Sequence, residues 1–227
     1  MELRKLKLYS KDISSQFNFY KNVLGFEVDY LEKNKISISA GTTQLILEEE
    51  KKSNFIYHFA FLIPNQKLEQ AIDFLEKKGL ELLQRDGEKI IYFGTKENHT
   101  GRAIYFFDED GNIAEFIERA SLNIEVEGDF NIQQIIKINE IGMPVDDPME
   151  VSRQLINQYK IQLIDLHHLN DSFCWVGDYN GVFIVVKNGR NWLPTKLAAQ
   201  SNDFWVEFES SEEVYEMEFK NGRIRGK

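Results

Sequence analysis

Cysteine is almost absent from this sequence of 227 residues, and the single one, Cys174, excludes an intramolecular disulfide. So little cysteine is typical of proteins from a reducing compartment. The sequence also lacks any apolar run that approaches the length of a membrane span. Its charged N-terminal segment, 1–12, is unlike a signal peptide. We therefore expect a cytoplasmic protein that does not enter a membrane.

Basic residues are the minority, with 27 Lys and Arg against 37 Asp and Glu, a net charge of −10 and a pI of about 5.0. A nucleic-acid-binding protein would carry a basic patch, so no nucleic-acid partner is expected. The negative field favours a neutral or cationic small ligand. The motifs GxGxxG, Walker A, CxxC and HExxH are all missing, which leaves those cofactor classes without their usual sequence support.

A strand, a helix and three strands are predicted twice in succession, at about 1–50 and 53–119. In the first unit Asp12 is a good helix N-cap and Gly25 a helix end; Asn65 and Gly79 take those places in the second. The number of residues between the helix start and the helix end agrees closely between the two units. Such self-similarity indicates an internal repeat.

A third unit begins near residue 134, with a helix start at Asp147 and Pro148. Strands are predicted within 161–166, 172–178 and 181–186. The tail, 190–227, has strand patterns and no helix, as in an incomplete fourth unit. We therefore divide the chain into 1–120, with paired βαβββ modules, and 134–227, with a third module and part of a fourth.

Alternation along the predicted strands separates an apolar face from a polar one. Helices would cover the apolar face. The natural twist of the sheet would curl the polar face into a cup. The fold class is therefore α+β, with curled mixed sheets and helices on the convex side. The polar face carries Lys5, Ser37, Ser39, Gln44, His58 and Glu115.

Glu115 is the residue that most needs an explanation. It lies between Ile113 and Ile117 in a strand that follows an acidic turn at 108–112. Burying a carboxylate among isoleucines is costly unless a cation or hydrogen bond compensates it. Either this face of the strand is partly exposed to solvent, or Glu115 points into a cavity and meets a cation.

These patterns resemble the vicinal oxygen chelate superfamily, which includes glyoxalase I, bleomycin- and fosfomycin-resistance proteins and extradiol ring-cleaving dioxygenases. The likeness covers residues 1–118 well and extends to 135–190 by the order of elements. It implies βαβββ modules around a ligand-binding cup. The residues that carry it are Asp12, Phe19, Tyr20, Leu24, Gly25, Phe26, His58, Asp108, Asp110, Gly111, Asn112 and Glu115.

The resemblance implies a divalent metal, either Fe, Mn, Zn or Ni, held by His58, Glu115 and Gln44, with Glu115 also catalytic. Tyr105 and Lys5 complete the implied cup. Lys5 departs from the family pattern of His or Gln, because an ammonium offers no lone pair and repels a cation. The alternative is a metal-free cup in which Lys5 pairs with Glu115.

Glu140 takes the first-strand position of the third unit, yet the strand at 181–187 offers no carboxylate or His partner. A second complete metal site is therefore not expected.

Three functions stay open at this point. The first is a metal-dependent lyase, isomerase or ring-cleaving dioxygenase; the second is a resistance-type protein that sequesters a small molecule; the third is an unrelated partner-binding role. A homodimer is also open. Several residues are assigned to loops, turns or packing, with ligand contact as the alternative for some: His99, His167, His168, Cys174, Arg190 and Trp192.

Overall fold

The computed structural model describes residues 1–52, 54–164 and 169–225, so His167 and His168 lie outside the described residues. Strands dominate this part of the chain. They are β1 (Glu2–Ser10), β2 (Glu27–Glu32), β3 (Lys35–Ala40), β4 (Thr43–Glu49), β5 (His58–Leu62), β6 (Ile91–Gly94), β7 (His99–Phe107), β8 (Ile113–Arg119), β9 (Lys137–Val145), β10 (Phe173–Asp178), β11 (Gly181–Lys187), β12 (Phe204–Ser210), β13 (Glu213–Lys220) and β14 (Arg223–Arg225).

The described helices are few and short. They are α1 (Ile13–Phe17), which continues as a π-helix (Asn18–Leu24), α2 (Leu68–Lys77), α3 (Pro148–Tyr159), and 3₁₀ turns at Ala120–Leu122 and Ile132–Gln134. None of them is long and apolar enough to cross a membrane.

The first and third helix starts follow the sequence prediction. Asp12 Oδ1 accepts hydrogen bonds from the backbone N–H groups of Ser14 (2.9 Å) and Ser15 (3.1 Å). Asp147 Oδ1 accepts from Glu150 N at 2.9 Å. These bonds satisfy backbone donors that a first helical turn leaves unpaired.

The prediction that Asn65 caps the second helix is wrong. Asn65 instead bonds to the backbone of Arg119 and Ile124. The helix donors at Lys67 and Leu68 bond to Glu118 Oε1, at 2.6 and 2.8 Å. Tertiary structure therefore supplies this cap from β8, where a local reading of the sequence could not find it.

The sequence places the first of the three strands after the second helix at 80–84, but this segment makes only a single bridge, from Leu83 to Tyr105. Of the strand predicted at 161–166, the described residues 161–164 are not in a strand.

Two seven-stranded sheets contain all of the described strands. The first sheet has the order β14-β13-β12-β1-β4-β3-β2, and the second has the order β10-β11-β9-β5-β8-β7-β6. In both sheets the central first strand runs parallel to the last strand of its own βαβββ unit, β1 beside β4 and β5 beside β8. The first strand is also antiparallel to a strand from the other half of the chain, β12 or β9.

The core lies between the sheets and the helices. Alternating apolar residues of both sheets enter one buried cluster that includes Leu6, Leu8, Phe59, Phe61, Ala114 and Phe116. Ring contacts link the sheets: Phe26 lies 5.4 Å from Phe61, and Phe183 lies 5.3 Å from Phe208, between ring centroids. The opposite face of the second sheet, turned away from this core, carries a separate cluster with Ile113, Ile117 and Trp192. The predicted separation of faces along β8 is thus confirmed.

The acidic turn at 108–112 fixes the position of β8. Asp108 Oδ1 accepts from the backbone N–H groups of Asp110 and Asn112, and its Oδ2 accepts from the Tyr20 hydroxyl at 3.2 Å. Asn112 Oδ1 accepts from Tyr57 N at 2.8 Å, directly before β5. Burial raises the pKa of Asp108 to about 6 against the opposing effect of its Asn112 bonds. This turn therefore ties β8 to both the first helix and β5.

Candidate metal and ligand site

Three neighbouring strands of the second sheet bring two carboxylates and an imidazole together. Ala60 of β5 pairs with Glu115 of β8 on one side and with Glu140 of β9 on the other. His58 precedes Ala60 by two residues, so the pleat directs it to the same face. All three side chains are buried.

The ligand atoms of His58, Glu115 and Glu140 lie within 4.8 Å of one another. His58 Nε2 is 3.5 Å from Glu115 Oε2. Imidazole and carboxylate groups are common ligands of divalent metals. The buried group can therefore hold one ion.

His58 has the tautomer that a metal ligand needs. Its Nδ1 lies 3.2 Å from the Ile113 carbonyl oxygen, and a carbonyl can only accept, so Nδ1 carries the proton. The Nε2 lone pair then faces Glu115. Burial lowers the pKa of His58 to about 4, although the Ile113 bond opposes that shift. The ring is therefore neutral at physiological pH.

Glu115 has an unsatisfied buried oxygen. Its Oε1 is without a hydrogen-bond partner among the described residues, which is costly for a carboxylate. Burial raises the pKa of Glu115 to about 8, while Arg119 and Tyr105 act in the opposite direction. An orphaned oxygen beside an imidazole lone pair fits a cation at this position.

Arg119 is the functional candidate that the sequence analysis did not identify. It is 2% exposed, and its Nη2 donates to Glu140 Oε1. Its guanidinium lies over the Trp175 ring, 4.6 Å from the centroid. Burial lowers its pKa to about 10, against the effect of the Glu115 charge. The alternation Ile113, Glu115, Ile117, Arg119 could have placed it on the Glu115 face.

A cavity of about 100 Å³ opens above these residues. Arg190 lies in its wall together with aromatic rings from several segments. The rings are Phe93, Tyr105, Phe173, Trp175 and Trp192.

Trp192 reaches the cavity because Gly142 on β9 lacks a side chain. A Cβ at Gly142 would lie 2.7 Å from Trp192 Cη2. The ring centroids of Trp192 and His58 are 5.0 Å apart. Trp192 and Arg190, assigned from sequence to a turn, thus both line the cavity.

Lys5 and Gln44 are not brought to this cavity. They pair with each other across β1 and β4 of the first sheet. Lys5 Nζ lies 3.2 Å from Glu207 Oε2, and Gln44 Nε2 donates to Ser37 Oγ at 2.7 Å. The Lys5–Glu115 ion pair of the metal-free alternative is therefore not formed, because β12 borders β1 and its Glu207 pairs with Lys5.

The third unit has equivalent positions on its own first and last strands, β9 and β11. Glu140 pairs with Val182 of β11, and Ile184, two residues further, lines the cavity. An isoleucine offers no ligand atom, so this position adds none to the trio of His58, Glu115 and Glu140. The trio mixes residues of the second and third units, which sequence reasoning treated separately.

His99 and Cys174 lie elsewhere. His99 begins β7 rather than lying in a loop, and its ring is 5.3 Å from Tyr92. Cys174 is buried, with its Sγ 3.9 Å from Met149 Sδ, as expected of a packing residue.

The fold and the site together define a class of curled-sheet proteins with an imidazole and carboxyl groups buried side by side. The family model described as the Glyoxalase/Bleomycin resistance protein/Dioxygenase superfamily matches residues 3–116. The chain belongs to this superfamily. No curated protein matches the sequence.

Solved structures resemble the chain in fold. A "putative dioxygenase" from Bacillus subtilis subsp. subtilis str. 168 is 12% identical, with a TM-score of 0.58, over 96% of this chain and 84% of that one. A lactoylglutathione lyase from Agrobacterium tumefaciens is 17% identical, with a TM-score of 0.44, over 54% and 97% of the two chains. An integron cassette protein from the mobile metagenome of the Halifax Harbour sewage outfall is 24% identical, with a TM-score of 0.43, over 51% and 97%.

Proposed function

We propose that this protein binds a divalent metal on His58, Glu115 and Glu140 and acts on a small molecule in the cavity above them. The observation that carries the proposal is the clustering of three buried ligand atoms within 4.8 Å. The chemistry we propose is that of a lyase, an isomerase or a ring-cleaving dioxygenase. An imidazole with two carboxylates suits Fe, Mn, Zn or Ni.

A bound divalent ion would supply Lewis acidity toward adjacent oxygens of the substrate. The protein residues have separate roles. The His58–Ile113 bond holds the imidazole in position. Glu115 is the residue that we propose as the acid or base, since its buried carboxyl group lines the cavity. The aromatic walls exclude water from the reacting oxygens.

Metal content tests this proposal. Protein purified without chelator or nickel affinity resin is analysed by elemental mass spectrometry, before and after incubation with each of the four metals. We expect about one ion per chain, with affinity lowered at least about tenfold in His58→Gln and Glu140→Gln. Gln44→Ala is the control and should retain the metal, since Gln44 lies in the other sheet. Loss of metal in Gln44→Ala alone would contradict the proposed ligand set.

The second candidate function is metal-free binding of a small molecule. The observation that favours it is the ion pair between Arg119 and Glu140, which compensates one of the carboxylates without a metal. Protein that takes up none of the four metals would support this candidate. In that case Arg119→Gln, which frees Glu140, should create metal binding.

We further propose that the protein works in the cytoplasm, which its single cysteine supports. Its partner is a small-molecule ligand, and a homodimer is the alternative to a monomer. Cell fractionation and light scattering on the purified chain test the two statements.

A further inference from the structure

Two arginines in the cavity have donors that the protein does not use. Arg119 Nε and Nη1 are buried and make no hydrogen bond within the described residues. Arg190 also lines the cavity. Its guanidinium lies 5.1 Å from the Phe173 ring centroid, and its side chain forms no ion pair or hydrogen bond with another described residue. The buried Arg119 donors cost free energy without an acceptor, which a suitable ligand would recover, whereas Arg190 is half-buried and free to turn toward a ligand.

The formal charges of the cavity leave room for an anion. Only two carboxyl groups, Glu115 and Glu140, face the same space as Arg119 and Arg190, so the cavity is not acidic, although the whole chain carries −10. A divalent ion on the proposed ligands would make the cavity positive. Charges on the protein surface that lie further from the cavity than a Debye length of about 8–10 Å are screened. The local balance therefore outweighs the acidic surface that favoured a cationic ligand in the sequence analysis.

The walls and the volume of the cavity limit the polarity and the size of the uncharged part of the ligand. Phe93, Tyr105 and Trp192 are aromatic, and the cavity measures about 100 Å³. An engineered apolar cavity of about 150 Å³ holds benzene. A ligand of about one ring, or smaller, is therefore the size that fits.

We infer that the cavity binds a small carboxylate with an apolar or aromatic body, its carboxylate oxygens accepting hydrogen bonds from Arg119 and Arg190. The inference rests on the proposed ligand-binding function of the same cavity. Guanidinium and carboxylate form charge-assisted and often bidentate hydrogen bonds. The apolar body would lie against Trp192, where it gains from burial.

Tryptophan fluorescence tests the inference with benzoate as the probe and benzyl alcohol as its neutral match. Two of the three tryptophans, Trp175 and Trp192, line the cavity. Titrations use the chelator-dialysed protein and the metal-loaded protein. We expect saturable quenching by benzoate in both, and binding of benzyl alcohol that is at least about tenfold weaker.

Arginine variants test whether Arg119 and Arg190 bind the carboxylate of benzoate. Arg190→Gln should weaken benzoate binding at least about tenfold. Arg153→Gln, an exposed arginine on α3, is the control for loss of one positive charge and should bind as the wild type does. Because Arg119→Gln alone leaves Glu140 unpaired, the double variant Arg119→Gln/Glu140→Gln keeps the test usable if the single variant fails to fold.

Equal affinity for benzoate and benzyl alcohol would overturn the inference, as would unchanged benzoate binding in Arg190→Gln. Failure of benzoate to bind either form of the protein would also overturn it. These failures are distinct from failure of the proposed metal site, which elemental analysis measures separately. A protein that holds metal and ignores benzoate contradicts only the inference about the anion.

Discussion

His58 shows how burial and one backbone bond set the chemistry of a residue. The carbonyl of Ile113 fixes its tautomer, and burial keeps it neutral, so that Nε2 keeps an available lone pair beside the Glu115 and Glu140 carboxyl groups. On an exposed strand the same histidine would titrate near its reference pKa of about 6.5. It lies two residues before Ala60, which pairs with Glu115 and Glu140 on the neighbouring strands, and this position is why we propose it as a metal ligand.

The first prediction concerns His58 and pH. Its pKa falls from 6.5 to about 4 on folding, so the unfolded chain binds more protons between these values and stability is lost as pH falls from 6.5 to 4. Glu115 acts in the opposite sense from pH 4.5 to 8, since its pKa is raised on folding. The difference in unfolding free energy between wild type and His58→Gln should therefore grow by about 3 kcal/mol from pH 4 to 6.5.

Urea unfolding of both proteins, in the presence of chelator, measures this difference across the pH range. Because Glu115 lies 3.5 Å from His58 and its titration is therefore not independent, the comparison is repeated in a Glu115→Gln background. A difference that stays constant with pH would mean that His58 is not buried in its neutral form.

At the scale of elements, β9 contributes Glu140, a proposed metal ligand, and the space at Gly142 into which Trp192 packs. The second contribution depends on Gly142, which pairs with Ile184 of β11 and leaves space for the indole ring. The ring then closes one side of the cavity against His58.

The second prediction is that Gly142→Ala displaces Trp192. The new Cβ would meet two atoms of the indole six-membered ring at 2.7 and 2.9 Å, and overpacking of this kind costs about 1–3 kcal/mol. We expect a shifted tryptophan emission and weaker ligand binding. Adding Trp192→Phe removes the two indole atoms and should restore most of the stability, with the tight contact to His58 O at 3.2 Å remaining; persistence of the full loss in the double variant would contradict this account.

The turn at 108–112 is a second element that positions strands of the site. Asn112 both accepts from Tyr57 N and donates to Asp108 Oδ2, each at 2.8 Å. It thereby joins the start of β8 to the start of β5, whose first residue is His58.

The third prediction is that Asn112→Ala lowers the free energy of unfolding by about 1–3 kcal/mol, because the buried donor of Tyr57 loses its acceptor. Denaturant titration measures it. Glu109→Ala, in the same turn and exposed, is the matched control and should change stability by less than about 0.5 kcal/mol. Equal effects of the two substitutions would argue against the role given to Asn112.

At the scale of the whole molecule, each sheet is completed by strands from the other half of the chain. β12 borders β1, and β9 borders β5. Phe208 of β12 is fully buried and contacts Phe183 of β11 in the opposite sheet. The bounds 1–120 and 134–227, drawn from sequence, stay a prediction about module units.

The fourth prediction is that Phe208→Ala costs about 3–5 kcal/mol and that both sheets still unfold in one transition. Trp205 in the first sheet and Trp175 in the second report on the two parts, when each is kept as the single tryptophan. Val214→Ala, at a position that is 50% exposed, is the control. Separate transitions for the two reporters would contradict the proposed coupling between sheets.

Local pattern predicted much of this structure. Alternation identified the two faces of β8 and marked Glu115, and the caps at Asp12 and Asp147 marked two of the helices. The repeat indicated the βαβββ order and the superfamily. These features depend on residues close together in sequence, where backbone geometry and side-chain periodicity determine the outcome.

Only the tertiary structure decided which repeat positions meet. The repeat aligned Lys5, Gln44, His58 and Glu115, yet strand pairing joins His58 and Glu115 to Glu140 of the third unit and leaves Lys5 beside Glu207. Arg119 and the residues around Gly142 became part of the site for the same reason. Pairing between distant strands is set by burial of the whole core and not by any local preference, so the sequence determined the residue types on each face and the assembled sheets determined their partners.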